Sequence, residues 1–191
     1  MNALAIQNVT LAIAAQLTSA LSKAGVTGNQ SPFVGPLDDP QASNAALVLF
    51  LYRVTPTQTL RNTDHVVAPA TANDTEHVYS SALPLDLHYL VTVGRQQASP
   101  EPNELSVLGF AMQSLNDVAI LSGTSVAQET IRITLDAASS EELSRIWALF
   151  PTVNYRTSVL YLASPVWIDP AAGPGLAAPV MDASFDVGLS A

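Results

Sequence analysis

Hydrophobic and polar residues alternate most regularly over residues 81–93, and this stretch predicts the central strand of a sheet. Every second position is apolar: Leu83, Leu85, Leu87, Tyr89, Val91 and Val93. The remaining positions make a more polar set: Pro84, Asp86, His88, Leu90 and Thr92. Because successive side chains of a strand point to opposite faces, the apolar set predicts one buried face. Pro84 has no N–H to donate, which suits the entry of the strand.

Three other segments predict strands. Residues 45–54, AALVLFLYRV, are nearly all apolar, so we expect a strand covered on both faces and closed by Pro56. Residues 130–136, TIRITLD, alternate, which predicts that Ile131, Ile133 and Leu135 point inward. Residues 159–168, VLYLASPVWI, predict the last strand, bent or broken at Pro165.

Apolar residues recur at steps of three and four in three segments, which is typical of amphipathic helices. The first helix, over residues 4–23, carries the stripe Ile6, Val9, Ile13, Leu17 and Leu21. The second, over residues 103–122, carries Leu105, Leu108, Met112, Leu115 and Ala119. The third is predicted to bury Leu143, Ile146, Trp147 and Phe150. Ser139 and Glu142 have the spacing of a capping box at its start, and Pro151 follows its end.

The resulting order, α-β-β-α-β-α-β, predicts an α/β (α+β) domain over residues 1–168. We expect a mixed sheet of about four main strands packed by about three helices. Residues 63–80 form a long polar excursion, which predicts a functional or disordered loop. Residues 169–191 predict a Pro/Gly/Ala linker and a C-terminal arm. In that arm the apolar residues Phe185, Val187 and Leu189 alternate with polar ones and glycine. This pattern favours either a strand that pairs with a neighbouring subunit or a frayed tail.

Charge and composition narrow the function. The net charge is −9, and the seven basic residues are scattered, which argues against a nucleic-acid partner. Only 12% of the residues are charged, so we expect part of the surface to be buried in an assembly. There are no cysteines, which excludes disulfides and thiolate chemistry. The apolar N-terminal stretch has no basic residue before Lys23 and is interrupted by polar residues. It therefore predicts neither a signal peptide nor insertion into a membrane, and we expect a cytoplasmic protein.

Few residues suggest chemistry. His65 and His77 share the polar excursion with three acidic residues, but their spacing matches no metal-ligand pattern, which favours a solvated loop. Asp86 and His88 have the separation of a dyad in a hydrolase-like enzyme. No nucleophile motif or phosphate-binding loop accompanies them, so a structural role is favoured. We expect no catalytic residue, cofactor or metal, and we assign Trp147 and Trp167 to the core.

Several polar and apolar positions are better candidates for subunit contacts. Arginines flank the apolar strands, and their planar guanidinium groups suit paired contacts at interfaces. The predicted interface residues are Arg53, Arg61, Asn62, Asp86, His88, Arg156, Phe185, Val187 and Leu189.

Five segments, in this order, resemble a known family. They are LFLYRVTPTQTLRN (Leu49–Asn62), LPLDLHYLVT (Leu83–Thr92), LSVLGFAMQSLND (Leu105–Asp117), ITLDAASSEELSRIWALF (Ile133–Phe150) and YRTSVLYLASPVWI (Tyr155–Ile168). Together they are similar to the cap, or tail-terminator, proteins of contractile injection systems of the antifeeding-prophage and virulence-cassette type. Thr57 stands where the family often has Asn, and the tail after Asp169 has no counterpart in the family pattern.

The resemblance implies a phage tail-terminator-like fold and a structural role rather than catalysis. It implies a homohexameric ring at the end of the particle away from the baseplate. There the ring would end the polymerisation of inner tube and sheath and join the last sheath ring to the tube. An adaptor that binds a partner strand along one sheet edge is the alternative, and a hydrolase-like enzyme using Asp86 and His88 is a weaker one.

Overall fold

The structure is a computed structural model that describes residues 3–27, 29–67, 77–94, 102–173 and 175–176. Within these ranges the helices are α1 (Ala5–Lys23), α2 (Pro102–Asp117) and α3 (Ser140–Ala148). The strands are β1 (Phe33–Val34), β2 (Leu47–Pro56), β3 (His65–Val67), β4 (His77–Tyr79), β5 (Leu83–Val93), β6 (Ile120–Leu121), β7 (Ile131–Asp136), β8 (Ser158–Ile168) and β9 (Gly175–Leu176).

The main sheet has the strand order β1-β2-β5-β8-β7-β6. Its four long strands, β2, β5, β8 and β7, are antiparallel to their neighbours, and only the two-residue β1 pairs in parallel. A second sheet has the order β3-β4-β9. The predicted mixed sheet and the predicted order of helices and long strands are therefore confirmed.

Helices α1 and α2 cover one face of the main sheet and bury the larger core with it. The predicted stripe of α1 faces this core: Val9, Ile13, Leu17 and Leu21 are buried, and Ile6 is partly buried. The sheet contributes the predicted apolar positions of β5, including Leu87, Tyr89 and Val91. Burial of this continuous apolar face is the main contribution to stability.

Helix α3 covers the opposite face, and this corrects the expectation for β5. Leu90 and Thr92, placed on the polar face of β5, are fully buried. Leu90 packs in a second cluster with Trp147 and Phe150 from α3 and the residues after it. Alternation in β5 identifies one buried face, but it does not reveal that a helix later in the chain covers the other.

The start of α3 has the predicted cap. The Ser139 hydroxyl oxygen accepts a hydrogen bond of 3.1 Å from the backbone N–H of Glu142. This bond satisfies an N–H group that has no partner within the helix. The cap fixes where α3 begins, so that Ile146 and Trp147 reach the sheet.

Three predicted inward residues are exposed, and the first is Leu83 at the start of β5, which is 47% exposed. Helix α2 ends at Asp117 rather than at residue 122, and Leu105 is 52% exposed. The buried face of α2 instead includes Val107, Leu108, Ala111 and Leu115. In β7, Ile131 and Ile133 are buried as predicted, but Leu135 is 59% exposed because no described helix covers the end of this strand.

Both long partners of β5 contain a bulge at a similar level. On β2 the pairing moves from Leu51 to Arg53, which leaves Tyr52 as the extra residue. On β8 the two residues Ser164 and Pro165 lie opposite one residue of β5, and the peptide between them is cis. Pro165 therefore lies in a bulge, and β8 continues through it unbroken.

The described part of the predicted loop and linker is ordered against the domain. Strands β3 and β4 lie within residues 63–80, and β9 lies within the predicted linker, where Leu176 pairs with His77. The predicted arm, including Phe185, Val187 and Leu189, lies outside the described residues.

Candidate functional site

His88 lies on the α3 face of β5 within a group of polar side chains, which we call the His88 cluster: Arg53, Thr55, His88, Asp136 and Glu142. One ring nitrogen, Nδ1, lies 3.2 Å from Arg53 Nη2 and 3.3 Å from Asp136 Oδ2. The other, Nε2, lies 3.2 Å from the Thr55 hydroxyl. Arg53 also pairs with Glu142 of α3 at 3.3 Å. The cluster thus joins β2, β5 and β7 to helix α3.

Asp86 has its own partners and does not complete a dyad with His88. Its Oδ1 accepts hydrogen bonds from the Thr57 hydroxyl at 2.6 Å and the Ser164 hydroxyl at 2.5 Å. Ser164 is one of the two bulge residues of β8 that lie opposite Asp86. Carboxylates that accept two hydroxyl groups are well satisfied when partly buried. Asp86 is therefore a structural residue of the strand pairing.

The His88 cluster has the residue types of a Thr-His-Asp triad, but its geometry does not favour catalysis. Nδ1 faces both the Arg53 guanidinium, which can only donate, and the Asp136 carboxylate, which accepts, so these contacts select no single tautomer and set up no Thr-to-His proton transfer. His88 is also buried, and the groove beside the cluster is lined by Tyr52, Arg53 and residues of α3 rather than by Thr55 or His88.

Tyr52, the bulge residue of β2, borders that groove. Burial raises its pKa to about 12, and the guanidinium carbon of Arg53 lies 5.7 Å from the centre of its ring. The hydroxyl therefore stays protonated at neutral pH, and the ring serves as a surface against which Arg53 packs. These features suit a contact surface better than a site of proton transfer.

His65 is the buried functional candidate that the sequence missed. It was assigned to a solvated loop, yet it is only 4% exposed. Its ring stacks on Trp167 with centroids 4.5 Å apart, and Tyr79 lies on β4 at 6.0 Å. Its Nδ1 lies 2.7 Å from Asp169 Oδ1, and its Nε2 lies 3.2 Å from Glu129 Oε2. We call these five residues the His65 cluster.

Both ring nitrogens of His65 lie within hydrogen-bond distance of a carboxylate oxygen. Burial of the Glu129 carboxylate would raise its pKa, but the hydrogen bond and the charge of His65 lower it below the usual value. The acidic partners lie 64 and 104 residues away along the chain, so spacing near His65 could not reveal them. The cluster connects β3, the segment before β7 and the end of β8.

The described residues give no indication of a metal centre. Within the described ranges no three His, Asp or Glu side chains are arranged to hold a metal ion. His77, the other histidine of the polar excursion, is partly buried on β4, and its Nδ1 has no hydrogen-bond partner among the described residues. The two histidines therefore do not share a site.

The arginines predicted at interfaces fall into two groups. Arg53 is held by Glu142 and His88, while Arg156 donates to the backbone oxygens of Val93 at 3.1 Å and Gly94 at 2.5 Å. Burial lowers the pKa of Arg156. Arg61 and Asn62 are exposed in the turn after β2 and make no side-chain hydrogen bond or ion pair to a described residue. Whether any of these residues lies at a subunit interface stays a prediction.

Large apolar side chains are exposed at several places on the described surface. The most exposed are Leu149, Tyr155, Leu135 and Leu11. Leu135 lies on β7 near the edge of the main sheet, where the exposed residues Val118 and Ile120 also lie. Such surface is typical of proteins that associate. Among the described helices none has the length and apolarity needed to span a bilayer.

Two solved structures share this fold. The first is the sheath/tube terminator, in the extended state, of the extracellular contractile injection system PVC, with a TM-score of 0.58 and 19% identity. The second is the tube-terminating cap of the anti-feeding prophage AFP, with a TM-score of 0.54 and 17% identity. The matches cover 97% and 90% of this chain but only 64% and 59% of the others, so this chain spans less than two thirds of either.

A comparison with curated proteins finds no match to the sequence. The family comparison does find one, and it covers nearly all of the domain: residues 8–181 match the Pvc16 N-terminal domain family. The match includes every helix and strand described above, apart from the first turn of α1. The chain therefore belongs to the Pvc16 N-terminal domain family.

Proposed function

We propose that this chain is a structural cap that ends the tube and sheath of a contractile injection system. The observation that carries the proposal is a fold match over 97% of the chain to a sheath/tube terminator, together with membership of the Pvc16 N-terminal domain family. The second fold match is to a tube-terminating cap, which is also a protein that ends a tube. In this proposal the cap lies at the end away from the baseplate and joins the last sheath ring to the tube.

The described surface supports a role in assembly. A chain with 12% charged residues and several exposed large apolar side chains has surface that association would bury. The acidic and histidine side chains in the interior serve as links between strands and helices. His88 is buried and does not line the groove beside its cluster, so the geometry does not favour the hydrolase-like alternative.

The proposed partners are further copies of this chain, the inner-tube protein and the sheath protein of the same particle. A closed ring suits the end of a filament because each copy presents the same lateral surfaces to its neighbours and the same axial surface to the tube. We propose six copies, and assembly in the cytoplasm is part of the same proposal. The surfaces that meet tube and sheath would include the predicted interface residues.

Deleting the gene from the cluster that encodes its particle tests this function. We expect particles without the chain to have tubes of uncontrolled length and open distal ends in electron micrographs. The wild-type chain should restore uniform length and add a ring at one end only. Arg145→Ala, which removes an exposed ion pair to Glu141 on α3, is a control expected to restore length equally.

The same experiment separates the cap from the adaptor that binds a partner strand. A cap appears in every complete particle at one end, and the purified chain forms a ring in native mass spectrometry. Particles of normal length and closed ends in the deletion strain would overturn the proposal. A chain that stays monomeric at high concentration and binds neither tube nor sheath would favour the adaptor.

A further inference from the structure

Glu104, in the first turn of α2, is buried with one carboxylate oxygen unpaired. The residue is 7% exposed, and its Oε1 has no hydrogen-bond donor among the described residues. The first turn suits a carboxylate because the positive end of the helix dipole lies there, but the dipole does not supply the missing donor. A buried polar atom without a partner costs free energy, so a cation that reached this oxygen would be stabilised there.

Arg156 lies close enough for its charge to interact with that of Glu104, but no ion pair joins these two described residues. The charge of Glu104 raises the pKa of Arg156, against the larger effect of burial. The Arg156 Nη1 group donates instead to the backbone oxygens of Val93 and Gly94 at the end of β5. Arg156 therefore leaves the Glu104 oxygen without a donor.

A pocket opens beside Glu104. Its volume is about 120 Å³, several times the roughly 30 Å³ that a water molecule occupies in the liquid. Its walls include Ala24 and Val26 at the end of α1, Ala46 before β2 and Val107 of α2. A carboxylate between aliphatic walls suits a cation that is carried on an aliphatic stem.

We propose that this pocket binds the ammonium group of a lysine side chain from the inner-tube protein. Lysine carries a compact charge on a flexible aliphatic stem, whereas the wider planar group of arginine matches two parallel acceptor oxygens better. The last torsion of a glutamate side chain is broad, so Oε1 can turn toward a ligand in the pocket. The net charge of −9 favours a partner with a basic surface.

The lysine comes from another protein rather than from a second copy of this chain. Lys23 is the only lysine of the chain, and it is exposed in the last turn of α1, next to Ala24 in the pocket wall. Donor and pocket would thus share one surface, which two copies exchange about a two-fold axis, whereas a ring joins two different surfaces. The inference rests on the proposed function, and the tube is chosen because both matched proteins end a tube.

Inner tubes purified without sheath test the inference by sedimentation with the full-length chain. Glu104→Gln keeps the shape of the side chain and removes its charge, so we expect the dissociation constant to rise about tenfold or more. Asp117→Asn removes an exposed charge at the other end of α2 and should bind like the wild type. An equal loss in Asp117→Asn would show a general effect of charge and would overturn the pocket contact.

Acetylation of the tube identifies the group that enters the pocket, because it neutralises lysines and leaves arginines charged. On acetylated tubes we expect the wild-type chain and Glu104→Gln to bind equally, since the group that distinguishes them is gone. If Glu104→Gln still binds more weakly by the same factor, Glu104 does not meet a lysine and the inference is wrong.

The stability of the free chain separates a binding role from a structural one. Because Oε1 lacks a donor, Glu104→Gln should not lower the midpoint of urea unfolding. A lower midpoint would show that Glu104 is paired within its own chain, with Arg156 or with Arg95, which lies outside the described residues. That result would overturn the inference.

The binding results also separate this inference from the proposed function. If the wild-type chain and Glu104→Gln bind untreated tubes equally, the pocket contact is overturned and the cap proposal stands. If the two chains differ only in binding to isolated sheath, the assignment to the tube is overturned. If the wild-type chain binds neither tube nor sheath, both proposals fail.

Discussion

The His65 and His88 clusters show how two buried histidines in one domain are held in different ways. His65 lies between two carboxylates that are themselves almost fully buried, and its ring stacks on Trp167. His88 is equally enclosed, but its charged partners Arg53 and Asp136 are partly exposed. The contribution of such a contact to the free energy of unfolding depends more on burial of the partner than on burial of the histidine, because water screens the charge of an exposed partner.

The largest effect is expected from His65→Ala. The substitution leaves the carboxylates of Glu129 and Asp169 buried without the ring that they share and removes the stacking on Trp167. Loss of one partner of a buried ion pair costs about 3–5 kcal/mol. We expect a decrease of that size in the free energy of unfolding, measured by urea denaturation. His65→Phe keeps a stacked ring without N–H groups, and a stability equal to wild type would show that the ion pairs contribute nothing.

His88→Ala should have a smaller effect. It removes contacts to Arg53, Thr55 and Asp136, but water can reach the charged partners after the change. The expected decrease is about 1–3 kcal/mol, the usual cost of leaving buried polar groups without a partner. The same urea experiment measures it. A loss as large as that of His65→Ala would contradict the distinction drawn from partner exposure.

Acid should destabilise the domain partly through the His65 cluster. The pKa of Glu129 is lowered in the folded state, so its contribution to stability is present above its ordinary pKa near 4.5 and is lost as the pH falls through the lowered value. We expect Glu129→Gln to make the loss of stability with acid shallower, in unfolding curves measured from pH 6 downward. If the free energy of unfolding falls as steeply with pH in Glu129→Gln as in the wild type, another carboxylate is responsible for the loss of stability in acid.

The smallest effect is expected at the outer part of the His88 cluster. Arg53 and Glu142 form a pair in which both side chains are more than a third exposed, so Arg53→Ala should cost about 1 kcal/mol or less. Arg145→Ala is the matched control, because Arg145 pairs with Glu141 on the same helix and is more exposed still. In thermal unfolding we expect the melting temperature of Arg53→Ala to be slightly lower than that of Arg145→Ala, because Arg53 also contacts His88. The reverse order would argue against that contact.

Regular local patterns predicted the framework well. The stripe of α1, the order of the long strands and the cap of α3 by Ser139 all follow from spacing within one segment, and the structure has each of them. Periodicity reports which face of an element is apolar, and that information is local. The family and its fold were also recognised from the sequence, through five segments taken together.

The wrong predictions concern residues whose burial or exposure depends on an element far away in the sequence. The second face of β5 is buried because α3 packs on it, and α3 begins 47 residues after β5 ends. His65 was assigned to solvent because Glu129 and Asp169 are remote in the chain. Leu105 and Leu135 were assigned to the core because they are apolar, yet exposed apolar residues on an assembling protein can belong to a contact between subunits.

The bulges at Tyr52 and at Ser164–Pro165 have a mechanical consequence. A regular antiparallel strand can slide by two residues and still keep each side chain on its face. If β2 or β8 slid along β5 by two residues, its bulge would no longer lie opposite the residue of β5 that accommodates it. The three strands therefore have one register in which all their hydrogen bonds form. Tension along β5 would therefore have to break this pairing rather than slide one strand along the next, so the sheet resists gradual elongation.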